Sequence, residues 1–324
     1  MPPTRSRSRQ FCIGIDLGGT NMQIGVVDTA AKIRGTSRKK TRAEEGSAAV
    51  VDRLVRGVQE ACEDAGITTR QLKAIGIGAP GAVDPVSGIV LEAVNLNWTN
   101  YRLASVLTAK LKVPVFLDND VNVAVLGEQR LGAAKGAQDL LGVWVGTGIG
   151  GGLILNGQLY YGGFKTAGEI GHTWLYPGNP PGSRTLENNC SRSNVVQRLS
   201  RLIASNRKSI LPKLAEGGEV ERIRSKMLAK AYIDRDPLTV EVVDNTADML
   251  AVGIANMVTV LSLPMVVLGG GLTEAIGKPF VDRVEKSVRA IAFPDRCKHV
   301  RVVESKLRDN AGVHGAAIIA RERA

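Results

Sequence analysis

The fold is decided by residues 11–27, FCIGIDLGGTNMQIGVV, in which an apolar strand runs into a Gly-Gly-Thr turn and a second strand follows at once. The same order returns at 140–155, LLGVWVGTGIGGGLIL, around a Gly-Thr-Gly turn. A repeated strand–turn–strand opening predicts two α/β units of similar construction. We therefore expect two lobes with a cleft between them.

Between the two openings, the chain carries one clear helix signal and two strand signals. Apolar side chains recur at helical spacing over 47–65, where Ser47 can cap the helix and Gly66 can end it. Buried strands are predicted at 74–78 and 113–120, and the second of them ends in acidic and amide residues.

The second half of the chain continues the alternation of helices and strands. A long helix is predicted from Pro237 to about Ser262, because Asp236 can cap it and proline is favoured at the first helical position. Residues 205–235 are charged and fit a helical connection. The other predicted elements are a strand at 265–268, a Gly-Gly-Gly turn at 269–271, a further helix, a strand near 300–304 and a closing helix from about 311.

The repeat also suggests where one lobe ends and the other begins. We expect a small α/β lobe of residues 1–120, completed by the closing helix at 311–324. The large α/β lobe then takes residues 121–310. A chain of 324 residues is long enough for a substantial buried core in this arrangement.

The glycine-rich turns suit phosphate binding. Glycines let backbone N–H groups approach phosphate oxygens, and Thr20 adds a hydroxyl donor. Asp16, at the end of the first strand, can hold Mg²⁺ through water, since Mg²⁺ keeps much of its hydration shell. The turn at 146–152 contains a GxGxxG-like string, but a strand follows it, so it fails the context of a dinucleotide-binding turn; it also lacks the lysine of a Walker loop.

Two such turns predict a clamp on the β- and γ-phosphates of a nucleotide. The third turn, Gly-Gly-Gly, opens a helix whose N-terminus could receive the nucleotide. The predicted nucleotide-binding residues of the three turns are Asp16, Gly18, Gly19, Thr20, Asn21, Thr147, Gly148, Gly270 and Gly271.

Composition excludes several classes of protein. No run approaches the ~20 uninterrupted apolar residues of a spanning helix, and the basic start, MPPTRSRSRQ, lacks the apolar stretch of a secretory signal. The four cysteines have no CxxC spacing and the three histidines are dispersed, so neither disulfides nor a thiolate or His-rich metal cluster is expected. We expect a cytoplasmic protein with no membrane partner.

The net charge of +11 raises the question of nucleic-acid binding. Part of the charge lies in Arg5, Arg7 and Arg9, a tail that we expect to be disordered. The remaining basic residues are scattered, with no interleaved aromatic residues on which bases could stack. The pattern favours a solvated basic surface that attracts anionic substrates, and no nucleic-acid partner.

Taken together, these motifs resemble the ROK family (repressors, open reading frames, kinases), especially its glucokinase-like members. The resemblance implies a two-lobed actin-like ATPase/hexokinase fold, ribonuclease H-like, with a central cleft. It also implies ATP- and Mg²⁺-dependent phosphorylation of a hexose hydroxyl, with glucose converted to glucose 6-phosphate as the first candidate. The matching runs extend from about residue 11 to the C-terminus and are GIDLGGTNMQIGVVD, GIGAPGAVD, NLNW, LDNDVNVAVLGE, GTGIGGGLILNGQLYYG, AGEIGH, LPMVVLGGGL and DNAGVHGAA.

The resemblance further implies a sugar site. Asp120 matches the family's catalytic base, which accepts the proton of the sugar hydroxyl as its oxygen attacks phosphorus. Asn119 beside it matches a ligand of a sugar hydroxyl. The other residues that match substrate-binding positions are Gly81, Asn95, Glu169, His172 and Glu187.

The chain departs from the family pattern at one place. ROK kinases usually carry Cys-x-Cys-Gly-x-x-Gly-Cys after Gly-His, and this segment binds structural zinc together with the histidine. Here residues 177–187 read PGNPPGSRTLE, and the next cysteine is Cys190. One cysteine with His172 cannot complete a tetrahedral thiolate site. We therefore expect no zinc, and a loop carrying Glu187 that is held by prolines and hydrogen bonds.

Several alternatives stay open. Fructose, allose, mannose, N-acetylmannosamine and N-acetylglucosamine are alternative acceptors, and polyphosphate is an alternative donor. A ROK sugar-sensing transcriptional repressor would carry an N-terminal winged helix-turn-helix of roughly sixty or more residues, whereas about ten residues precede the first strand here. We expect a sugar and a nucleotide as partners, and a homodimer or higher homo-oligomer whose order the sequence does not determine.

Overall fold

The structure, a computed structural model, describes residues 10–215 and 223–324. The basic tail with Arg5, Arg7 and Arg9, predicted to be disordered, lies outside the described residues, as does part of the predicted connection, 216–222. Among the helices of the described ranges, none combines the length and the apolar character needed to cross a membrane.

Strands and helices alternate along the described chain. The strands are β1 (Phe11–Leu17), β2 (Asn21–Val27), β3 (Ile33–Lys40), β4 (Leu72–Ala79), β5 (Ala82–Asp84), β6 (Ile89–Ala93), β7 (Trp98–Tyr101), β8 (Val115–Asn119), β9 (Leu140–Val145), β10 (Ile149–Leu155), β11 (Gln158–Leu159), β12 (Met265–Gly269) and β13 (Arg301–Glu304). The helices are α1 (Ser47–Asp64), α2 (Leu103–Leu111), α3 (Asp120–Leu131), α4 (Leu186–Cys190), α5 (Arg192–Ala204), α6 (Leu211–Leu214), α7 (Ser225–Ile233), α8 (Pro237–Leu261), α9 (Gly271–Ile276), α10 (Lys278–Ile291) and α11 (Ala311–Arg323).

Contacts divide the chain into two compact units. Unit 1 contains the described residues up to Gly132, together with Tyr161–Thr166 and Asp309–Ala324. Unit 2 contains Ala133–Tyr160 and the described part of Ala167–Arg308. The lobe boundaries expected from the sequence, at 120 and 310, stay a prediction. Units defined by contacts within the chain need not coincide with lobes.

The two units contain sheets of the same topology. In unit 1 the strand order is β3-β2-β1-β4-β8, and in unit 2 it is β11-β10-β9-β12-β13. In each sheet the first three strands are antiparallel and the remaining neighbours are parallel. The repeated strand–turn–strand opening seen in the sequence is therefore the β1–β2 hairpin of one sheet and the β9–β10 hairpin of the other.

Glycines allow the closing helix to lie directly on the unit 1 sheet. A Cβ on Gly14 of β1 would fall 1.8 Å from the carbonyl oxygen of Val313, and one on Gly76 of β4 would fall 1.9 Å from that of Ala316. Both oxygens belong to the backbone of α11, so no side-chain movement could make room. This contact places the first turn of α11 beside the end of β1, where Asp16 lies.

We expect Gly76→Ala to destabilise the protein strongly. The added methyl would displace α11 from β4, and overpacking of this kind costs typically about 1–3 kcal/mol, or more where backbone must shift. Urea or thermal unfolding measures the effect. Gly163→Ala is the matched control, because nothing lies within 4 Å of the Cβ that it adds. Equal unfolding midpoints for the two variants would contradict the close approach of α11 to the sheet.

Most elements form where the sequence predicts them, and two helix starts are wrong. The predicted N-cap Ser47 is instead the first residue of α1, and Gly46 is the N-cap, with φ 88° and no side-chain cap. The predicted strand at 113–120 ends at Asn119, and Asp120 begins α3. Both errors have one cause, since a polar residue that can cap a helix also suits its first turn, and only the backbone torsions distinguish the two.

Candidate active site

The Gly-Gly-Thr turn of unit 1 is fixed by backbone hydrogen bonds. Gly18 N donates to Asn21 O at 2.9 Å, which closes the turn between β1 and β2. Thr41 then holds it from the other side, because its hydroxyl donates to Gly18 O at 2.6 Å and its N–H donates to Thr20 O at 2.9 Å. Thr41 has no motif in the sequence that would have indicated this role.

The same turn contacts a predicted sugar residue. A Cβ on Gly19 would lie 2.9 Å from Cβ of Asn95, so a glycine is needed for the two chains to approach. Asn95 is exposed and lies in a short 3-10 helix, Val94–Leu96. A cavity of about 570 Å³ opens beside both residues and is otherwise lined by Glu44, Ser47, Trp98 and their neighbours. The structure therefore places the predicted phosphate turn and Asn95 together.

Asn119 and Gly81 are also neighbours in unit 1. Asn119 caps α3, because its side-chain oxygen accepts hydrogen bonds from Val121 N at 2.9 Å and Asn122 N at 3.1 Å. Its side-chain nitrogen donates to Gly81 O at 3.0 Å. Gly81 has φ 84°, and a Cβ there would lie 2.1 Å from a backbone oxygen. An amide group has two N–H donors, so the second one would be left for the predicted sugar contact of Asn119.

Asp120 occupies the first turn of α3. Its Oδ1 accepts a hydrogen bond from Val121 N at 2.8 Å. The positive end of the helix dipole favours a charged carboxylate at this position. Asp120 is therefore held by a hydrogen bond at a helix end that favours negative charge, and both features suit a general base.

Asp16 lies close to Asp120 at the end of β1. Burial raises the pKa of Asp16 to about 7, the charges of Asp120 and Asp309 add to the rise, and Arg38 opposes it. A Cβ on Gly312 of α11 would fall 2.7 Å from Cγ of Asp16, so protein surrounds the carboxylate closely. An excess of negative charge at a crowded site suits a divalent cation with water ligands. No group of three or more His, Cys, Asp or Glu arranged to hold a metal occurs within 10–215 and 223–324.

The Gly-Thr-Gly turn of unit 2 is bound to Glu187. Gly146 N donates to Gly148 O at 2.9 Å, which closes the turn between β9 and β10, and Thr147 is exposed at its tip. Oε2 of Glu187 accepts a hydrogen bond from Ile149 N at 2.7 Å. A Cβ on Gly148 would lie 2.3 Å from the same oxygen. The carboxylate of Glu187 thus lies directly behind the turn.

Glu169 and His172 lie beside Glu187. Nε2 of His172 is 4.0 Å from Oε2 of Glu169 across the 3-10 helix Ile170–His172. Burial raises the pKa of Glu169, His172 opposes the rise, and the charge of Glu187 adds to it. The structure therefore brings the three predicted sugar residues of unit 2 together.

Glycines explain why the two motifs of unit 2 occur together. A Cβ on Gly151 of β10 would lie 2.3 Å from Gly168 O, and one on Gly171 would lie 2.1 Å from Ile149 O. Gly168 also has φ 101°, which side chains rarely adopt. The GTGIGGG run and the AGEIGH run are therefore two sides of one backbone contact, which positions Glu169.

The third predicted turn begins α9. Gly270 is its N-cap with φ 86°, and a Cβ there would lie 2.7 Å from the backbone of Val145. Oε1 of Glu274 accepts a hydrogen bond from Gly270 N at 3.3 Å. The predicted contact of Gly270 and Gly271 with a nucleotide stays a prediction.

The segment before Glu187 is held by hydrogen bonds, and Glu187 itself lies on α4 and not in a loop, which corrects the sequence-based expectation. Leu175 N and Tyr176 N donate to Arg184 O at 2.7 and 3.0 Å, and Leu186 N donates to Thr173 O at 2.9 Å. The guanidinium of Arg184 lies 5.3 Å from the ring centroid of Trp174. A capping box between Thr185 and Asn188 then begins α4.

We expect the purified protein to contain well under one zinc per chain. Burial raises the pKa of Cys190 to about 12, so its thiol stays protonated, and a thiol must lose its proton to bind zinc. His172, with 68% of its side chain exposed, would be left as a single ligand. Elemental analysis measures the zinc, and EDTA should leave the melting temperature unchanged. One equivalent of zinc, together with destabilisation by EDTA, would contradict this expectation.

A buried acidic residue directly before Asn119 is not among the predicted site residues. Asp118 precedes Asn119 in β8 and is 1% exposed. Its Oδ2 accepts hydrogen bonds from the Tyr161 hydroxyl at 2.7 Å and from Nη2 of Arg323 at 2.8 Å. An acidic residue in an apolar strand is a weak signal, and Tyr161 and Arg323 are too far away in the sequence to be connected with it.

Comparisons with known proteins show the family to which the chain belongs. A sequence model of the ROK family matches residues 12–323. The glucokinase of Thermotoga maritima is 32% identical over 316 residues, which cover 96% of this chain and 97% of that protein. The crystal structure of a ROK family glucokinase from Streptomyces griseus in complex with glucose and AMPPNP has a TM-score of 0.86 and 29% identity; the match covers 96% of this chain and 99% of that one.

A repressor also matches. The putative xylose repressor of Caldicellulosiruptor sp. is 29% identical over 307 residues, which cover 94% of this chain and 76% of the repressor. The chain belongs to the ROK family and has the actin-like ATPase fold of its sugar kinases. The glucokinases among its relatives confirm the predicted enzyme class, a sugar kinase.

Proposed function

We propose that the chain transfers the γ-phosphoryl group of ATP to a hydroxyl of a hexose, with glucose as the first candidate and glucose 6-phosphate as the product. The observation that carries the proposal is the proximity of Asp16 and Asp120 in unit 1, where each raises the cost of charging the other. One matches a cation-holding residue and the other a general base. The glucokinases among its relatives support hexose as the acceptor.

In the proposed reaction, Asp120 accepts the proton of the acceptor hydroxyl. The hydroxyl oxygen forms a bond to the γ-phosphorus, the bond from phosphorus to the bridging oxygen breaks, and ADP leaves with that electron pair. Phosphoryl transfer depends mainly on positioning and on stabilising charge. The helix N-terminus is proposed to position Asp120, and the backbone N–H groups of Gly19 and Thr20 are proposed to stabilise charge on the phosphates.

Asp16 is proposed to hold Mg²⁺ through water. Its carboxylate fits this role, because burial and the negative charges of Asp120 and Asp309 disfavour its ionised form, and a cation would offset that cost. A bound Mg²⁺ would neutralise charge on the phosphates. In the absence of the ion, the raised pKa of about 7 lets Asp16 hold a proton below pH 7, which limits repulsion with Asp120 there.

In unit 2, Glu169, His172 and Glu187 are proposed to bind hexose hydroxyls. One carboxylate oxygen of Glu187 accepts a hydrogen bond from Ile149 N, and the other oxygen is proposed to contact the sugar. Charged acceptors paired with hydroxyl donors make strong hydrogen bonds. Glu187 would thereby link the sugar to the Gly-Thr-Gly turn, whose Thr147 and Gly148 are proposed phosphate contacts.

The acceptor and the donor are tested together by coupled measurement of ADP release. We expect turnover with ATP and glucose above that with fructose, allose, mannose, N-acetylmannosamine and N-acetylglucosamine, and a requirement for Mg²⁺. Phosphoryl transfer from polyphosphate is followed separately as hexose phosphate. Asp120→Asn protein, purified in the same way, controls for contaminating hexokinases. Absence of turnover with every hexose would contradict the proposal, and a preference for another hexose would correct its substrate.

Two further expectations belong to this proposal. We expect the protein to be cytoplasmic, where both ATP and free hexoses are present. A homodimer or higher homo-oligomer is checked by the mass of the protein in solution.

A further inference from the structure

Asp118 accepts hydrogen bonds on both of its oxygens. Oδ1 accepts from Asn119 N at 3.0 Å and from the side-chain nitrogen of Asn122 at 3.2 Å. Oδ2 accepts from the Tyr161 hydroxyl at 2.7 Å and from Nη2 of Arg323 at 2.8 Å. One oxygen therefore binds the junction between β8 and α3, and the other binds two residues that are remote in the sequence.

Arg323 donates hydrogen bonds to both Asp118 and Tyr161. It is the last residue of α11, and its Nη1 donates to Leu117 O at 3.2 Å while its Nη2 also donates to the Tyr161 hydroxyl at 2.8 Å. The planar guanidinium presents several N–H donors in a fixed fork, which a lysine cannot reproduce. We call Asp118, Tyr161 and Arg323 the Asp118 clasp.

The clasp compensates a charge that is otherwise costly. Asp118 is 1% exposed, while 29% of the Arg323 side chain is exposed. Removing one partner of a buried ion pair leaves an uncompensated buried charge, which is strongly unfavourable. Without Arg323, the Asp118 carboxylate would gain most by turning toward solvent, and its Oδ1 would then leave Asn119 N.

We propose that the Asp118 clasp positions Asp120 and Asn119 for catalysis, with Arg323 as its distant positioning residue. The inference rests on the proposed function, since it assigns Asp120 as the base. Its physical basis is the sequence of contacts: Arg323 orients Asp118, Asp118 holds the N–H of Asn119, and Asn119 caps the helix that begins with Asp120.

Arg321 provides a matched comparison on the same helix. Its guanidinium also binds backbone oxygens, donating from Nη2 to Asp28 O at 2.6 Å and from Nη1 to Thr29 O at 3.5 Å. Those oxygens follow β2, at a distance from the β8–α3 junction. Both arginines therefore attach α11 to the rest of unit 1. Of the two, Arg323 is the one that binds Asp118.

The experiment compares Arg323→Met with Arg321→Met by steady-state kinetics on folded protein. We expect Arg323→Met to lower kcat on the order of tenfold to a hundredfold, because small misplacement of a catalytic group has effects of up to about this size. KM for ATP should change little. Arg323→Lys should recover part of kcat, since one ammonium can still pair with Asp118. Arg321→Met should keep kcat close to wild type.

Amide hydrogen exchange at residues 119–122 gives a readout that does not require turnover. Exchange there should be faster in Arg323→Met than in wild type and unchanged in Arg321→Met. Equal kcat and equal exchange in the two arginine variants would overturn the inference. If wild type phosphorylates no hexose, the proposed function fails, whereas faster exchange in Arg323→Met would still show that the clasp holds the junction.

A milder variant covers the case in which Arg323→Met does not fold. Tyr161→Phe removes one of the hydrogen bonds to Asp118 and leaves the charges in place. We expect a smaller fall in kcat and faster exchange at 119–122. Tyr160→Phe, at the neighbouring half-exposed tyrosine, is its control. Identical behaviour of the two tyrosine variants would also contradict the clasp.

Discussion

Asp120→Asn is expected to lower kcat by about 10²–10⁴-fold while hexose binding is retained. An amide has the same shape as the carboxylate, and its oxygen can still accept the hydrogen bond from Val121 N. It cannot accept the proton of the sugar hydroxyl. Turnover is measured by coupled ADP release, and hexose binding by isothermal titration.

Asp52→Asn is the control for this variant. It makes the same chemical change at an exposed position on α1, where Asp52 pairs with Lys110 at 3.1 Å. Its kcat should equal that of wild type. Turnover of Asp120→Asn within a few-fold of wild type would show that another group is the base.

Asp16→Asn is expected to have opposite effects on activity and on stability. If Asp16 holds Mg²⁺ through water, its loss should cost about 10–100-fold in metal affinity or activity, as for other groups that contact a metal indirectly. The metal-free variant should nevertheless melt at a higher temperature than wild type at pH 8, because the amide removes an unfavourable buried charge.

The pH dependence of this stability gain follows from the pKa. The pKa of Asp16 is about 7 in the folded protein and near the ordinary 3.8 in the unfolded chain, so the folded state binds the proton more tightly. The stability that Asp16 contributes is complete below pH 4 and is lost as the pH rises through 7. The melting-temperature difference between Asp16→Asn and wild type should therefore grow from pH 5 to pH 8.

Mg²⁺ and a neighbouring acid complete the test. Mg²⁺ should raise the melting temperature of wild type at pH 8 and leave Asp16→Asn unchanged, because a ligand stabilises the state that binds it. Asp309→Asn, at a side chain that is 70% exposed, should change the melting temperature much less. A pH-independent difference between Asp16→Asn and wild type would exclude a titrating Asp16.

How much of the site could be predicted depended on the range of each interaction. Glycines in a turn predict local backbone geometry, so short motifs predict both glycine-rich turns and the strand that follows each of them. The sequence predicts a loop at Glu187, because α4 has only five residues and is as short as many turns. The close approach of Gly19 to Asn95 joins segments about 75 residues apart, and no local pattern shows it.

The sequence by itself determined the element order, the repeat and the family, because apolar periodicity and turn glycines act over a few residues and occur twice in the same order. Only the tertiary structure decided which oxygen of Glu187 is already in use, that Asp16 shares its surroundings with Asp120, and that Arg323 reaches Asp118. The reason is physical. Burial and charge pairing depend on distances through space between residues that the chain keeps up to about 300 positions apart, and these distances exist only once the sheets and helices have packed.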